Sequence, residues 1–267
     1  MVLTWFGVLG MDVSLSESMY NAPSKLNENL LIYNPQSREI MHRCLLMLLT
    51  VLVALSGCGK SDKARQELAQ LNVVYTDTSF LENARDGNAD VVRLFIEAGM
   101  GTEVKTREGQ TALMLAALQN RVDVVNVLLE KGADVNATNR YKGTALMSAA
   151  WKGHSQIVQL ILAENPDLNL QDNRGMTALM FAAWDDRTDI TRALLNKGAA
   201  VDVRDANGWT ALMRAAFKGH SGSVQALIEK GADLRAADSG GKTALNLAED
   251  QGRGDTAKLL KDAGTSR

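Results

Sequence analysis

Few side chains in this chain are spaced to do chemistry of their own. His154 and His220 each follow a glycine, and neither recurs with a serine or cysteine nucleophile and an acid at a catalytic spacing. Asp185 and Asp186 are adjacent carboxylates, read as a solvated pair and not as a general acid with its base. No metal-ligand spacing and no glycine-rich phosphate cradle occurs. The chain is therefore expected to be no enzyme and to need neither cofactor nor metal. The aromatic side chains are better placed. Leu118, Trp151, Trp184 and Phe217 follow one another at intervals of 33 residues, so stacking of equal units would set them in a row. Tyr141, Met176 and Trp209 stand shortly ahead of the last three, and Arg140, Lys152, Arg174, Asp185, Asp186 and Lys218 surround them with mixed charge. Rings grouped on a surface hold a partner by burying apolar area, and Trp and Tyr dominate such contacts. The competing possibility is that these rings fold back on neighbouring loops and cover gaps.

What must position them is a repeated phrase. Thr-Ala-Leu-Met returns at Thr111, Thr144, Thr177 and Thr210, and Thr-Ala-Leu-Asn comes next at Thr243, always 33 residues on. A fixed period of this size means stacked supersecondary units. In each unit a first helix carries a narrow face of small residues, as in Leu113, Ala116 and Ala117. A second helix carries an apolar stripe at i, i+1, i+4 and i+5, as in Val124, Val125, Leu128 and Leu129, repeated by Ile157, Val158, Ile161 and Leu162. It ends at Gly99, Gly132, Asn165, Gly198, Gly231 and Gly264, residue types suited to the left-handed conformation of a helix C-terminus. The first unit, Phe80 to Gly99, lacks the Thr-Ala-Leu start, and Thr256 and Lys261 replace apolar residues in the last, which should make its outer face polar.

With Thr144-Ala145-Leu146-Met147-Ser148-Ala149-Ala150-Trp151-Lys152-Gly153-His154 and its counterpart from Thr210 to His220, the units resemble ankyrin repeats, over roughly residues 78 to 264. Ala stands for the family's Pro and Met for its His in four successive units. The resemblance implies an all-α solenoid of helix–turn–helix units joined by hairpin-like loops. Six units, including degenerate caps, fall at about 78–109, 110–142, 143–175, 176–208, 209–241 and 242–264, with a tail at 265–267. It also implies that His154 and His220 are structural, near the start of the second helix. The concave face, formed by residues after Ala-Ala and by the hairpin tips, would bind a protein. The binding residues would then be Leu118, Tyr141, Trp151, Lys152, Met176, Trp184, Asp185, Trp209, Phe217 and Lys218. Alanine at Trp151 and Trp184 is expected to weaken a partner with little change in melting.

Both cysteines, Cys44 and Cys58, precede the array, which can form no disulfide or zinc–thiolate site. Residues 41–57 have a basic start at Arg43, about a dozen apolar residues and then small ones, the layout of a signal peptide. The apolar run is short for a membrane span. Leu55-Ser56-Gly57-Cys58 resembles the lipobox of bacterial lipoproteins, which implies lipidation of Cys58 and cleavage before it; an uncleaved hydrophobic anchor is the alternative. Acyl chains on Cys58 would fix the chain stably to a membrane, facing the periplasm of a bacterial envelope, and Gly59 in place of Asp tilts this toward the outer membrane. Residues 1–40 show no clear period and are read as a misassigned start or disordered leader. Residues 58–77 are read as a tether with a short helix near Ala64 to Leu71, reaching at most about 70 Å.

Net charge is −2, and no basic stripe with interleaved aromatics points to nucleic acid. The chain is thus expected to be a monomeric, envelope-anchored binder of another protein, serving as scaffold or protector. An anchored immunity protein against a toxin is a second possibility. An envelope hydrolase or small-ligand receptor using the Trp151–Trp184 cleft is a third, and a purely architectural spacer a fourth.

Overall fold

Thr111, Thr144, Thr177, Thr210 and Thr243 each sit one residue ahead of a helix, and each hydroxyl accepts the backbone N–H three residues on, at 3.2 to 3.3 Å. That is the N-cap bond which Thr supplies and Ala cannot, contributing about 1 kcal/mol. The caps of the four middle repeats are themselves buried, as are Met114, Met147, Met180 and Met213. A thioether therefore fills the place that the family gives to an imidazole, as packing and not as a polar contact. In the last unit Asn246 returns a bond to the Thr243 N–H at 3.1 Å and completes a reciprocal capping box.

The computed structural model describes residues 59–265. The expectations for residues 1–40, for the leader at 41–57, for Cys58 and for most of the tail lie outside them. Among the described residues the regular structure is helical. Residues 59–70 form α1. Next are α2 (Asp77–Asp86), α3 (Ala89–Glu97), α4 (Ala112–Leu118), α5 (Val122–Glu130), α6 (Ala145–Lys152), α7 (Ser155–Ala163) and α8 (Ala178–Trp184). After these come α9 (Thr188–Asn196), α10 (Ala211–Lys218), α11 (Ser221–Glu229), α12 (Ala244–Asp250) and α13 (Gly254–Thr265). None is long and apolar enough to cross a membrane.

Six helix pairs stack in register. The first helices, α2, α4, α6, α8, α10 and α12, form one row, and their partners form a second. Paired alanines such as Ala149–Ala150 and Ala215–Ala216 are fully buried, and their small size lets neighbouring first helices approach closely. On the second helices the buried stripe is Val124, Val125, Val127 and Leu128, with Leu129 only partly covered. Register is then fixed by polar ladders. Side-chain oxygens of Glu103, Asn136, Asn169 and Asp202 accept the N–H of Asp134, Asp167, Ala200 and Asp233 in the next unit, at 2.9 to 3.0 Å. Hairpin tips add a second ladder: Arg140, Asn173, Ala206 and Ser239 donate backbone N–H to the carbonyls of Glu108, Tyr141, Arg174 and Asn207.

Three expectations are corrected. Residues 59–75 are no free tether. Ala64 and Leu68 are buried on α1, and Ser61, Arg65 and Tyr75 all donate to the carbonyl of Ala98 at the end of α3. Tyr75 stacks on Phe95 at 5.5 Å. Among the described residues no repeat precedes the first unit, and α1 covers its end. Gly99, Gly132, Asn165, Gly198 and Gly231 do take positive φ, but Gly264 lies inside α13, which continues through Thr265 instead of breaking into a left-handed turn. Thr256 is buried, and its hydroxyl pairs with that of Ser221 at 2.9 Å. Its polarity is matched inside the stack; Lys261, paired with Glu249 at 2.7 Å, is the residue that faces water.

Candidate functional site

Each first helix ends at the same edge of the stack as a hairpin tip, so residues eight to ten positions apart in sequence converge there. Between the third and fifth units this edge forms a groove of about 950 Å³. Its apolar lining comes from Tyr141, Met147, Trp151, Met176, Phe181 and Trp184, and its polar lining includes Asn139, Ser148, Asp172, Asn173, Arg174, Asn207 and Arg214. No histidine or cysteine lines it. Ser148 directs its hydroxyl to the carbonyl of Thr144, at 3.2 Å. The Asp172 carboxylate takes the N–H groups of Arg174 and Met176 and the Arg174 guanidinium. The polar groups thus serve turns and caps, and the arrangement suits contact with a surface better than bond-making.

The aromatic row divides in two. Tyr141 and Trp151 are 52% and 45% exposed. Each carries a cation on its ring, Arg140 at 4.8 Å from the Tyr141 centroid and Lys152 at 4.0 Å from that of Trp151. Further along, rings close on one another. Trp184 stacks on Phe217 at 6.0 Å and an interplanar angle of 9°, and Trp209 leans on Phe217 at 5.3 Å. Arg214 and Lys218 lie over Trp184, at 5.4 and 5.0 Å from its centroid. Behind them Arg214 is paired with the buried carboxylate of Asp205. The Trp209 indole N–H donates to Asp238 at 3.0 Å. The backbone N–H of Lys242, with those of Gly240 and the indole, holds the Asp238 carboxyl below its usual range, against a smaller opposing effect of burial.

One difference on the open side is a missing side chain. The register that holds Met176 and Trp209 in the fourth and fifth units holds Gly143 in the third. Nothing therefore lies against Trp151 as Trp209 lies against Phe217. The position before it holds glycine at positive φ in four hairpins, Gly109, Gly175, Gly208 and Gly241, and Lys142 at φ +58° in the third. A Cβ at Gly175 would meet the Ala206 backbone at 2.8 Å, and one at Gly208 the Ser239 backbone at 3.0 Å, yet the third hairpin carries Lys142 at this register and keeps the same ladder bond, from the Asn173 N–H to the Tyr141 carbonyl.

The second-helix N-caps show the same irregularity. Arg121, His154, His220 and Arg253 each donate a ring or guanidinium N–H to a carbonyl of the preceding unit: Arg85, Leu118, Trp184 and Phe217, at 3.0 to 3.3 Å. The two imidazoles are thus structural rungs. At the fourth unit the rung is missing, and Arg187 Nε is buried without a partner. The seam under the open half is the irregular one.

Of the expected binding residues, Tyr141, Trp151, Met176 and Trp184 meet in the groove, though Met176 is only 4% exposed and forms its floor instead of a hairpin tip. Trp209, Phe217 and Lys218 join Trp184 in the closed cluster. Leu118 and Asp185 are half-buried and lie outside the groove lining. Sequence reading passed over Lys142, Gly143, Phe181 and Arg214. Lys142 and Gly143 had a signal, since they invert the Gly-then-side-chain order of the other hairpins. A family model for ankyrin repeats (3 copies) matches residues 49–139, 137–205 and 197–266. Comparison with curated proteins finds no match.

Proposed function

We propose, from the premise that the chain belongs to the ankyrin-repeat family, that it docks another protein on its concave face, catalyses nothing, and is held at a bacterial cell envelope through Cys58. Ankyrin arrays are protein-interaction scaffolds; the choice of face and the anchor are the further steps. The observation that carries the first is the groove floored by Met176 and edged by the exposed rings of Tyr141 and Trp151. A large ring left uncovered beside a groove is an apolar anchor site, and water-excluding surroundings make such rings dominate an interface. The anchor is supported by Leu55-Ser56-Gly57-Cys58 alone. Because residue 59 already belongs to α1, a lipid on Cys58 would have a folded helix and not a flexible run as its neighbour. The array would then work close to the membrane, protecting or positioning a protein there.

The test is affinity capture from detergent-solubilised envelopes with the full chain as bait. Trp151→Ala and Tyr141→Ala should each weaken the recovered partner by about 2 kcal/mol or more, with the fold intact by circular dichroism. A partner retained equally by both variants would refute the assigned face. Metabolic labelling with a fatty acid, lost in Cys58→Ser, tests the anchor separately.

A further inference from the structure

Arg140, Lys142 and Lys152 crowd the open half of the face, and Lys218 continues the series over Trp184. None of the four takes part in an ion pair within the described residues. Three of them stand on rings: Arg140 on Tyr141, Lys152 on Trp151 and Lys218 on Trp184. A cation held on the face of a ring has its stem fixed while its head still faces solvent; Arg140 also donates one guanidinium N–H to the Tyr141 hydroxyl at 2.6 Å and keeps its other donors for a ligand. That is pre-organisation for an anion arriving from solvent. The acids nearby do not neutralise them. Asp172 is occupied by Arg174 and two backbone N–H groups, and Asp205 by Arg214. Glu108 and Asp185 make no ion pair with any of the four.

Lys142 adds an independent sign. Its left-handed backbone is strained for a lysine, the other four hairpins use glycine there, and the other non-glycine residues of positive φ among the described residues are Asn or Asp. Strain kept at a surface position points to a use for the side chain. Together with Gly143, which sets no side chain against Trp151, the inverted pair leaves a ring bare and puts an exposed lysine on the hairpin that carries Tyr141.

We infer that the bound part of the partner is an extended segment rich in aspartate or glutamate, crossing the third to fifth units with its carboxylates on Arg140, Lys142, Lys152 and Lys218. This rests on the concave-face reading above and names the chemistry of its occupant. Neighbouring helices stack about 8 to 10 Å apart, roughly the length of three residues of extended chain. An extended segment therefore meets a ring-and-cation site about every third residue.

The test is selection of random peptides, displayed on phage, against the immobilised full chain. The expected winners are net acidic, with Asp or Glu recurring about three residues apart. Their affinity should fall at least about tenfold in the double variant Lys142→Gly, Lys152→Ala, and similarly in Trp151→Ala, with unchanged circular dichroism in both. Neutral or basic winners, no winners, or acidic winners that ignore the double variant would overturn the inference. The two levels separate cleanly. Winners without acids that still need Trp151 leave the concave face standing and remove only the acidic partner. Winners indifferent to Trp151 and to both lysines remove the face as well.

Discussion

Trp151 and Trp184 occupy one register of consecutive units, and their surroundings could hardly differ more. Trp184 is stacked on Phe217 and covered by Arg214 and Lys218, while Trp151 is 45% exposed with Lys152 as its one ring contact. Both come after the same Ala-Ala pair on equivalent helices. The difference comes from the neighbours: the fifth unit sets Arg214, Phe217 and Lys218 around Trp184, where the same registers of the fourth unit hold Phe181, Trp184 and Asp185, and the third unit's own hairpin adds only Gly143. One repeat scaffold thus carries two kinds of surface. Rings in the closed half pack on one another, and rings in the open half stay exposed.

Breaking that contrast at its centre should give the largest effect. Trp184→Ala removes a ring packed against another ring and two cations, and should lower unfolding free energy by about 3 kcal/mol. Trp151→Ala should lower it by about 1 kcal/mol or less. Urea denaturation of the two variants measures both, and equal losses would erase the distinction. Little change in melting is thus predicted for Trp151→Ala and a clear drop for Trp184→Ala.

The seam beneath the open half offers a sharper probe. Arg187→His places an imidazole where His154 and His220 already bridge to the preceding unit. Restoring the missing rung should stabilise the array by about 1 kcal/mol, read as a higher urea midpoint at unchanged slope. A lower midpoint would mean that the Arg187 stem packs in a way the imidazole cannot match.

The smallest change concerns Lys142. Lys142→Gly should stabilise by about 0.5 kcal/mol, relief of left-handed strain exceeding the extra unfolded-state entropy of glycine. The same substitution removes a cation from the open rim, so stability should rise while affinity for an acidic peptide falls. A variant that loses both would show that Lys142 supports the hairpin itself.

Much of this architecture was legible in the chain because it is periodic. Thr caps, paired alanines and left-handed Gly or Asn recur at one spacing, and each reports a backbone requirement that residue type alone reveals. Gly264 broke the pattern because glycine permits a left-handed turn without compelling one, and α13 runs on through Thr265. Thr256 misled because its partner, the Ser221 hydroxyl, belongs to another unit. Ala64 and Leu68 carried a helical spacing inside the supposed tether, but only the exposed end of the first unit explains why that helix docks. Met176 and Trp209 share a register, yet one floors the groove and the other packs against Phe217. Side-chain burial there depends on the neighbouring hairpin, which a one-dimensional period does not record.

Site-specific photo-crosslinking puts the open half to the test. A photoreactive residue is placed at position 151 of the full chain and, in a separate preparation, at Gln159 on the exposed side of α7, and each is irradiated in envelopes. A discrete protein adduct from position 151 and none from position 159 is the expected result. An adduct from position 159 with none from 151 would place the partner on the second-helix row and contradict the assignment of the open groove.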